Sequence, residues 1–317
     1  MPSSSRRTRI VLAFACVYLC WGATYAAIRI AGEHLAPPLV GAVRSILSTS
    51  ILASICLARG ASLRVPARTA WRLVLVGVLM MTVNNLLLIW GETLVASGLS
   101  SLIIAMIPIY VALIETVLPG GERLTPRGWI GVLAGAAGMF VLMSPALRAT
   151  GSAPANRTAV AGYAILIVAG LAFAAGSILS RRFRFRVDTF VAATWQIGAA
   201  GVANIALTLA AGNLRTAHWT ANGLAAIAFL SLIGTVVGFT AYTYLLQNVP
   251  VTKVATYAFV NPAIAVIIGV VLFGERLAPA ELAGMALILV AVATVILSRT
   301  PLASPPSDPL LEVPIEE

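Results

Sequence analysis

The sequence predicts an all-α integral membrane protein of ten transmembrane helices, arranged as two inverted five-helix repeats. Three observations lead there: an extreme apolar composition, ten separate apolar runs of spanning length, and an internal repeat that covers an odd number of helices. Of 317 residues, 60% are hydrophobic and 10% charged, with a mean hydropathy of +0.97, whereas a soluble domain carries about 25% charged residues. Water is therefore not the solvent for most of this surface. The apolar runs are continuous rather than alternating, which excludes strands, so each is a helix that satisfies its own backbone in lipid.

A bilayer core of about 30 Å needs about 20 apolar residues per helix. Runs of that kind lie at 10–30, 37–58, 71–90, 97–118, 126–143, 159–180, 188–211, 223–246, 254–273 and 279–298. The first follows Arg6, Arg7 and Arg9 like a signal peptide, but it is about twice the length of a signal core and reads as a membrane helix. Short polar or Pro/Gly-marked breaks separate the runs, with Pro37, Pro126 and Pro279 at three of the starts. The order predicts a tail at 1–9, a first repeat at 10–145, an external linker at 146–158, a second repeat at 159–298 and a disordered Pro-rich tail at 299–317.

A net charge of +10 would suggest nucleic acid in a soluble protein, so the placement of the basic residues decides its meaning. With the N-terminus inside, 15 of 21 basic residues fall in cytoplasmic segments, among them Arg59, Arg64, Arg68, Arg72 and the block Arg181, Arg182, Arg184, Arg186. That asymmetry obeys the positive-inside rule, places both termini in the cytoplasm of a bacterial inner membrane, and makes the partners lipid and solute rather than nucleic acid. Cys16, Cys20 and Cys56 all lie within helices, so no disulfide framework is expected.

Ile107-Pro108-Ile109 leads through an apolar helix to Gly121-Glu122-Arg123-Leu124-Thr125-Pro126, and Asn261-Pro262-Ala263 leads likewise to Gly274-Glu275-Arg276-Leu277-Ala278-Pro279. The offset is 154 at the proline and 153 afterwards, and Gly22 and Gly176 also stand 154 apart. Five helices per repeat make the second half enter the membrane from the opposite side. The two Gly-Glu-Arg-Leu turns then lie on opposite faces, an arrangement common among carriers that alternate between two openings.

These residues, with Trp21-Gly22, Pro38 followed by Arg44, and Ala241-Tyr242, resemble the EamA-type transporters of the drug/metabolite transporter (DMT) superfamily. The resemblance covers about 11–297. It implies ten helices with both termini inside, and export of amino acids, metabolites or toxic compounds. Glu115 and the pair Asn84-Asn85 depart from the plainer family pattern.

Polar residues within a span are expensive, so each invites a functional reading beside a structural one. Arg44 sits about 10 Å inside its helix; it either pairs with an anionic solute group, or snorkels outward or meets Glu33. Glu115 is a candidate for proton coupling, or an interfacial carboxylate near Arg123. Glu122, Arg123, Glu275 and Arg276 read as structural turns that anchor helix pairs. Tyr18, Trp21 and Tyr25 form one stripe of the first helix, suited to lining a cavity or to packing. Tyr257 and Asn261 stand one turn apart beside Pro262, where a carbonyl loses its partner. Gln196, Asn84, Asn85 and Tyr242 complete the candidate substrate-binding set, each able instead to bond between helices. Gly131, Gly135 and Gly138, and the pair Gly234 and Gly238, have the spacing of close helix contacts.

The expected activity is secondary transport of a small organic solute. An integral-membrane enzyme acting on a lipid-linked substrate is the alternative, but no zinc-binding His-Glu-x-x-His, aspartate-rich motif or phosphate loop is present, so neither a metal nor a cofactor is expected. The two histidines, His34 and His218, fall in loops.

Overall fold

The computed structural model describes residues 4–121, 123–148, 154–249, 254 and 256–298. Glu122, the middle of the expected linker and the tail from 299 lie outside the described residues. Ten helices follow in order: α1 (Ser4–Gly32), α2 (Pro37–Ala58), α3 (Ala67–Glu92), α4 (Ser97–Val117), α5 (Pro126–Arg148), α6 (Pro154–Phe183), α7 (Thr189–Ala210), α8 (Ala221–Asn248), α9 (Tyr257–Phe273) and α10 (Pro279–Ser298). Among the described residues nine are long and apolar enough to cross a membrane, and α9 is a shorter apolar helix of 17 residues, about 25 Å long. Large apolar side chains such as Leu297, Val117 and Val271 stand fully outward, as expected where lipid replaces water.

Several helices outrun their apolar stretches. α1 begins at Ser4, α3 runs from Ala67 to Glu92, and α6 begins at Pro154, because hydropathy marks the part in hydrocarbon while the backbone ladder continues into the polar ends. Local chemistry sets the boundaries. Asp188 caps α7 by accepting from Phe190 N at 2.9 Å and Val191 N at 3.3 Å, and Gly274 ends α9 with φ 61°, a left-handed C-cap that favours glycine.

Three helices are irregular where the site lies. α3 widens into a π-helical segment at Val78–Val83 and α8 into one at Leu230–Phe239. Such segments cluster at functional sites. α4, expected as one span, breaks into Ser97–Ile104 and Ile107–Val117, since Pro108 has no N–H for the Ile104 carbonyl.

The halves α1–α5 and α6–α10 interlock rather than sit side by side. α5 packs along α10 and α2 along α7, while α1 lies against α8 and α9, and α6 against α3 and α4. Glycines permit the closest approach: a Cβ on Gly284 would stand 2.6 Å from Leu142 N, and one on Gly131 2.7 Å from Val295 Cγ2. Gly234 and Gly238 accommodate Thr24 and Trp21 of α1. The repeat is inverted in space. Glu275, after α9, joins Arg29 at the end of α1, whereas Gly121 folds against Glu115, which pairs with Arg182 at the end of α6. The corresponding helices α1 and α6 thus run to opposite ends of the bundle.

Candidate functional site

A cavity of about 70 Å³ lies at the meeting of both halves, walled by Trp21, Tyr25, Arg44, Asn84, Asn85, Tyr257 and Asn261 together with Thr24, Phe173 and Gly234. That volume holds a few waters, not a metabolite, so a larger solute requires the helices to part. Seven of the ten candidate binding residues converge here although they come from α1, α2, α3 and α9.

Arg44 is 8% exposed, and neither Glu33 nor any other described carboxylate forms an ion pair with it. Its Nε donates to Thr235 Oγ1 at 2.6 Å and its Nη1 to Asn85 Oδ1 at 3.1 Å. Each partner is itself held by a π-helical segment. Thr235 donates to the Leu230 carbonyl at 3.0 Å, and Asn85 Nδ2 to the carbonyls of Met80 and Met81 at 3.2 and 3.3 Å. A wide helical turn leaves carbonyls free to accept, so one guanidinium bridges the irregular segments of both repeats through neutral groups. A guanidinium carries five N–H donors and no acceptor. The site is therefore electropositive.

Trp21 stands at the centre of an aromatic cluster, with ring centroids 4.8 Å from Tyr242, 5.5 Å from Tyr257 and 6.1 Å from Phe173. Its indole donates to the Gly234 carbonyl at 3.1 Å. Tyr242 lies 3.3 Å from Ser177 Oγ, which orients its hydroxyl. Asn84 donates to the Ala169 carbonyl at 2.9 Å, linking α3 to α6. Asn261 is buried, and its Oδ1 has no hydrogen-bond partner. An enclosed acceptor of that kind is costly unless something supplies a donor.

The remaining candidates lie elsewhere. Tyr18 leaves the cavity and meets Thr256 at 2.6 Å. Gln196 lines a separate cavity of about 520 Å³ with Arg184, Arg186 and Gln247. Glu115 is held by Arg182 at 3.0 Å, and Arg182 also reaches the Pro119 carbonyl at 3.2 Å; the cation beside Glu115 is this one rather than Arg123, which is exposed. Arg276 is likewise exposed.

Glu275 does more than turn the chain. It pairs with Arg29 and accepts from Ser97 N at 3.0 Å, Ser97 Oγ at 2.8 Å and Gly98 N at 3.3 Å. It therefore caps the first turn of α4 from the other repeat, where a carboxylate complements the free N–H groups and the helix dipole. This clasp ties α1, α4 and the turn after α9 together at one end of the bundle. Nearby, Glu92 is 5% exposed and both its oxygens are enclosed without a partner.

Sequence reasoning missed Glu92, Thr24, Phe173 and Thr235. Glu92 carried a legible signal, an acidic residue two positions past an apolar run; Thr235 did not, since threonines are common in membrane helices. No cluster of three or more potential metal ligands exists among the described residues. His34 and His218 meet only through their backbones, at 3.4 Å.

Comparison with known proteins agrees with this architecture. The model of the EamA-like transporter family matches residues 8–144 and 160–297. An uncharacterized inner membrane transporter of Escherichia coli K12, YedA, is 30% identical over 284 residues, 89% of each chain. The WAT1-related chloroplastic protein At3g02690 of Arabidopsis thaliana is 24% identical over 283 residues, 87% of this chain and 66% of that one. One solved crystal structure superposes with a TM-score of 0.65 at 23% identity, covering 92% of this chain and 98% of that chain, and so shares the fold. With both halves matched and the helices, repeats and relatives in accord, this multi-pass membrane protein belongs to the EamA-like transporter family.

Proposed function

We propose that the protein exports a small organic solute that carries a carboxylate and an apolar or aromatic body, by alternating access of its two repeats. One observation carries this reading: a buried guanidinium with no protein carboxylate beside it lines a cavity at the junction of the halves. An anionic group entering there would gain charge-assisted bonds to Arg44, its body would lie against Trp21 and Tyr257, and Asn261 Oδ1 would accept from a donor such as an ammonium. An amino acid or a related metabolite satisfies all three.

The closed clasp at the Glu275 end and the wider cavity at the Arg181–Arg186 end support a cycle in which the two ends open in turn. The distribution of basic residues supports a bacterial inner membrane with the Arg182 end and both termini in the cytoplasm. Outward movement rests on the resemblance to exporters.

The test is purified protein in liposomes offered labelled amino acids and other carboxylates, beside growth profiling of a deletion strain and an overexpressor. We expect saturable movement of at least one carboxylate, abolished in R44M, and opposite growth phenotypes of the two strains toward it. Movement of neutral or cationic solutes alone, undiminished in R44M, would overturn the reading.

A further inference from the structure

Among the described residues, Glu92 is a buried carboxylate that has neither a partner nor a part in solute binding. Glu92 ends α3 beside the clasp, and neither of its enclosed oxygens accepts a hydrogen bond. An ionised carboxylate in that state loses its solvation with nothing to replace it. The groups that face it are few. α1 presents Tyr25 and Arg29, and the turn after α9 presents Glu275. α6 approaches this end through Gly162, against Leu94 and Val95, and its Tyr163 has Glu281 of α10 rather than Glu92 as its charged neighbour. The first segment of α4, Ser97–Ile104, has no titratable side chain, and the nearest titratable residue of α2, Arg44, is engaged in the cavity. Arg29, the cation of the group, is committed to Glu275 and, at 3.5 Å, to Glu33. Of three carboxylates around one arginine, two hold it and the third has nothing.

We propose that Glu92 is a proton-binding site, carrying one proton while the Arg29–Glu275–Ser97 clasp is closed and releasing it to water when the clasp opens. The step is a simple dissociation: the carboxyl O–H bond breaks, its electron pair stays on the carboxylate, the proton passes to water, and Arg29 remains a cation throughout. Opening admits water and frees Arg29 to meet the new carboxylate; closing strips both away, and Glu92 takes a proton back. Tyr25 connects this site to the solute cavity, since it lines that cavity and lies within electrostatic reach of Glu92. The role in a transport cycle rests on the function proposed above, whereas the proton site itself does not.

Because the closed form holds the proton, opening must increase with pH, by up to about tenfold per pH unit for one linked proton. The test uses the full chain reconstituted in liposomes, without any solute. Infrared difference spectra between about pH 5 and about pH 9 should contain a protonated-carboxyl C=O band that fades as pH rises, is missing in E92Q and reappears displaced in E92D. In parallel, I28C, in a chain whose Cys16, Cys20 and Cys56 are alanine, is labelled by an impermeant maleimide from the Glu275 end. The ratio of its labelling rate with Glu92 to that with E92Q cancels the thiol's own pH dependence and should rise by up to about tenfold per unit. Absence of any Glu92-dependent band, or a ratio that does not change with pH, overturns the proposal. Failure of solute movement with the band and ratio intact overturns the transporter reading alone.

Discussion

Arg44 Nη1 donates to Asn85 Oδ1 at 3.1 Å, while Asn85 Nδ2 returns to the carbonyls of Met80 and Met81. The asparagine thus passes the pull of a buried cation on to the widened turn of α3. Thr235 does the same for α8. Any ligand that draws Arg44 toward itself therefore pulls on both repeats at once.

Replacing Arg44 separates binding from folding. R44K keeps the charge but loses the fork that reaches Thr235 and Asn85 together, and bonds to a charged group contribute about 1.5–3 kcal/mol each. Solute movement in liposomes should fall by about tenfold to about a hundredfold in R44K and further in R44M. Thermal unfolding in detergent should move little in R44M, because removing a buried cation that has no carboxylate partner offsets the loss of about 1–3 kcal/mol when Asn85 Oδ1 is left without its donor.

Trp21 is both a packing element and a wall of the cavity. W21F keeps the ring against Tyr257 and Tyr242 but removes the N–H that serves Gly234, a loss of about 1 kcal/mol. W21A should weaken solute binding by at least about tenfold, since an aromatic wall contributes area and ring contacts together, and W21F should lie between. Competition by unlabelled solute measures both.

The α5–α10 pair leaves no room for a side chain. Gly284→Leu places a Cβ 2.6 Å from the Leu142 backbone nitrogen, and forcing such a contact costs about 1–3 kcal/mol or more. A lower midpoint in thermal size-exclusion assays is expected, with solute affinity unchanged at low temperature because the cavity lies elsewhere.

Glu275 holds the first turn of α4 from the opposite repeat. E275A removes the acceptor for Ser97 N and Gly98 N and the partner of Arg29. Each enclosed group left without a partner costs about 1–3 kcal/mol. Labelling of I28C from that end should accelerate at every pH, and serine at position 97 should become accessible to exchange in deuterated buffer.

The proposed orientation has its own check. Single cysteines at Arg123 and Arg276, both exposed, should react with impermeant reagents from opposite faces of the membrane, Arg123 from the cytoplasm. Labelling from one shared face would remove the proposed membrane placement.

The sequence alone determined the solvent, the helical spans and the repeat. Those follow from composition, from the length of apolar runs and from the matched Pro108 and Pro262, which act locally. It also marked Trp21, Tyr25, Arg44, Asn85, Tyr257 and Asn261 as out of place in lipid. What it left open was which of these polar groups meet. Gln196 and Tyr18 looked equivalent to them and stand apart, because which face of a helix turns inward depends on the helices packed against it. The clasp of Glu275 onto α4 and the enclosure of the Glu92 carboxylate exist only once the halves interlock, and no apolar run marked the two π-helical segments. Residues as far apart in the chain as Arg29 and Glu275 become neighbours through packing, and no local pattern encodes that contact.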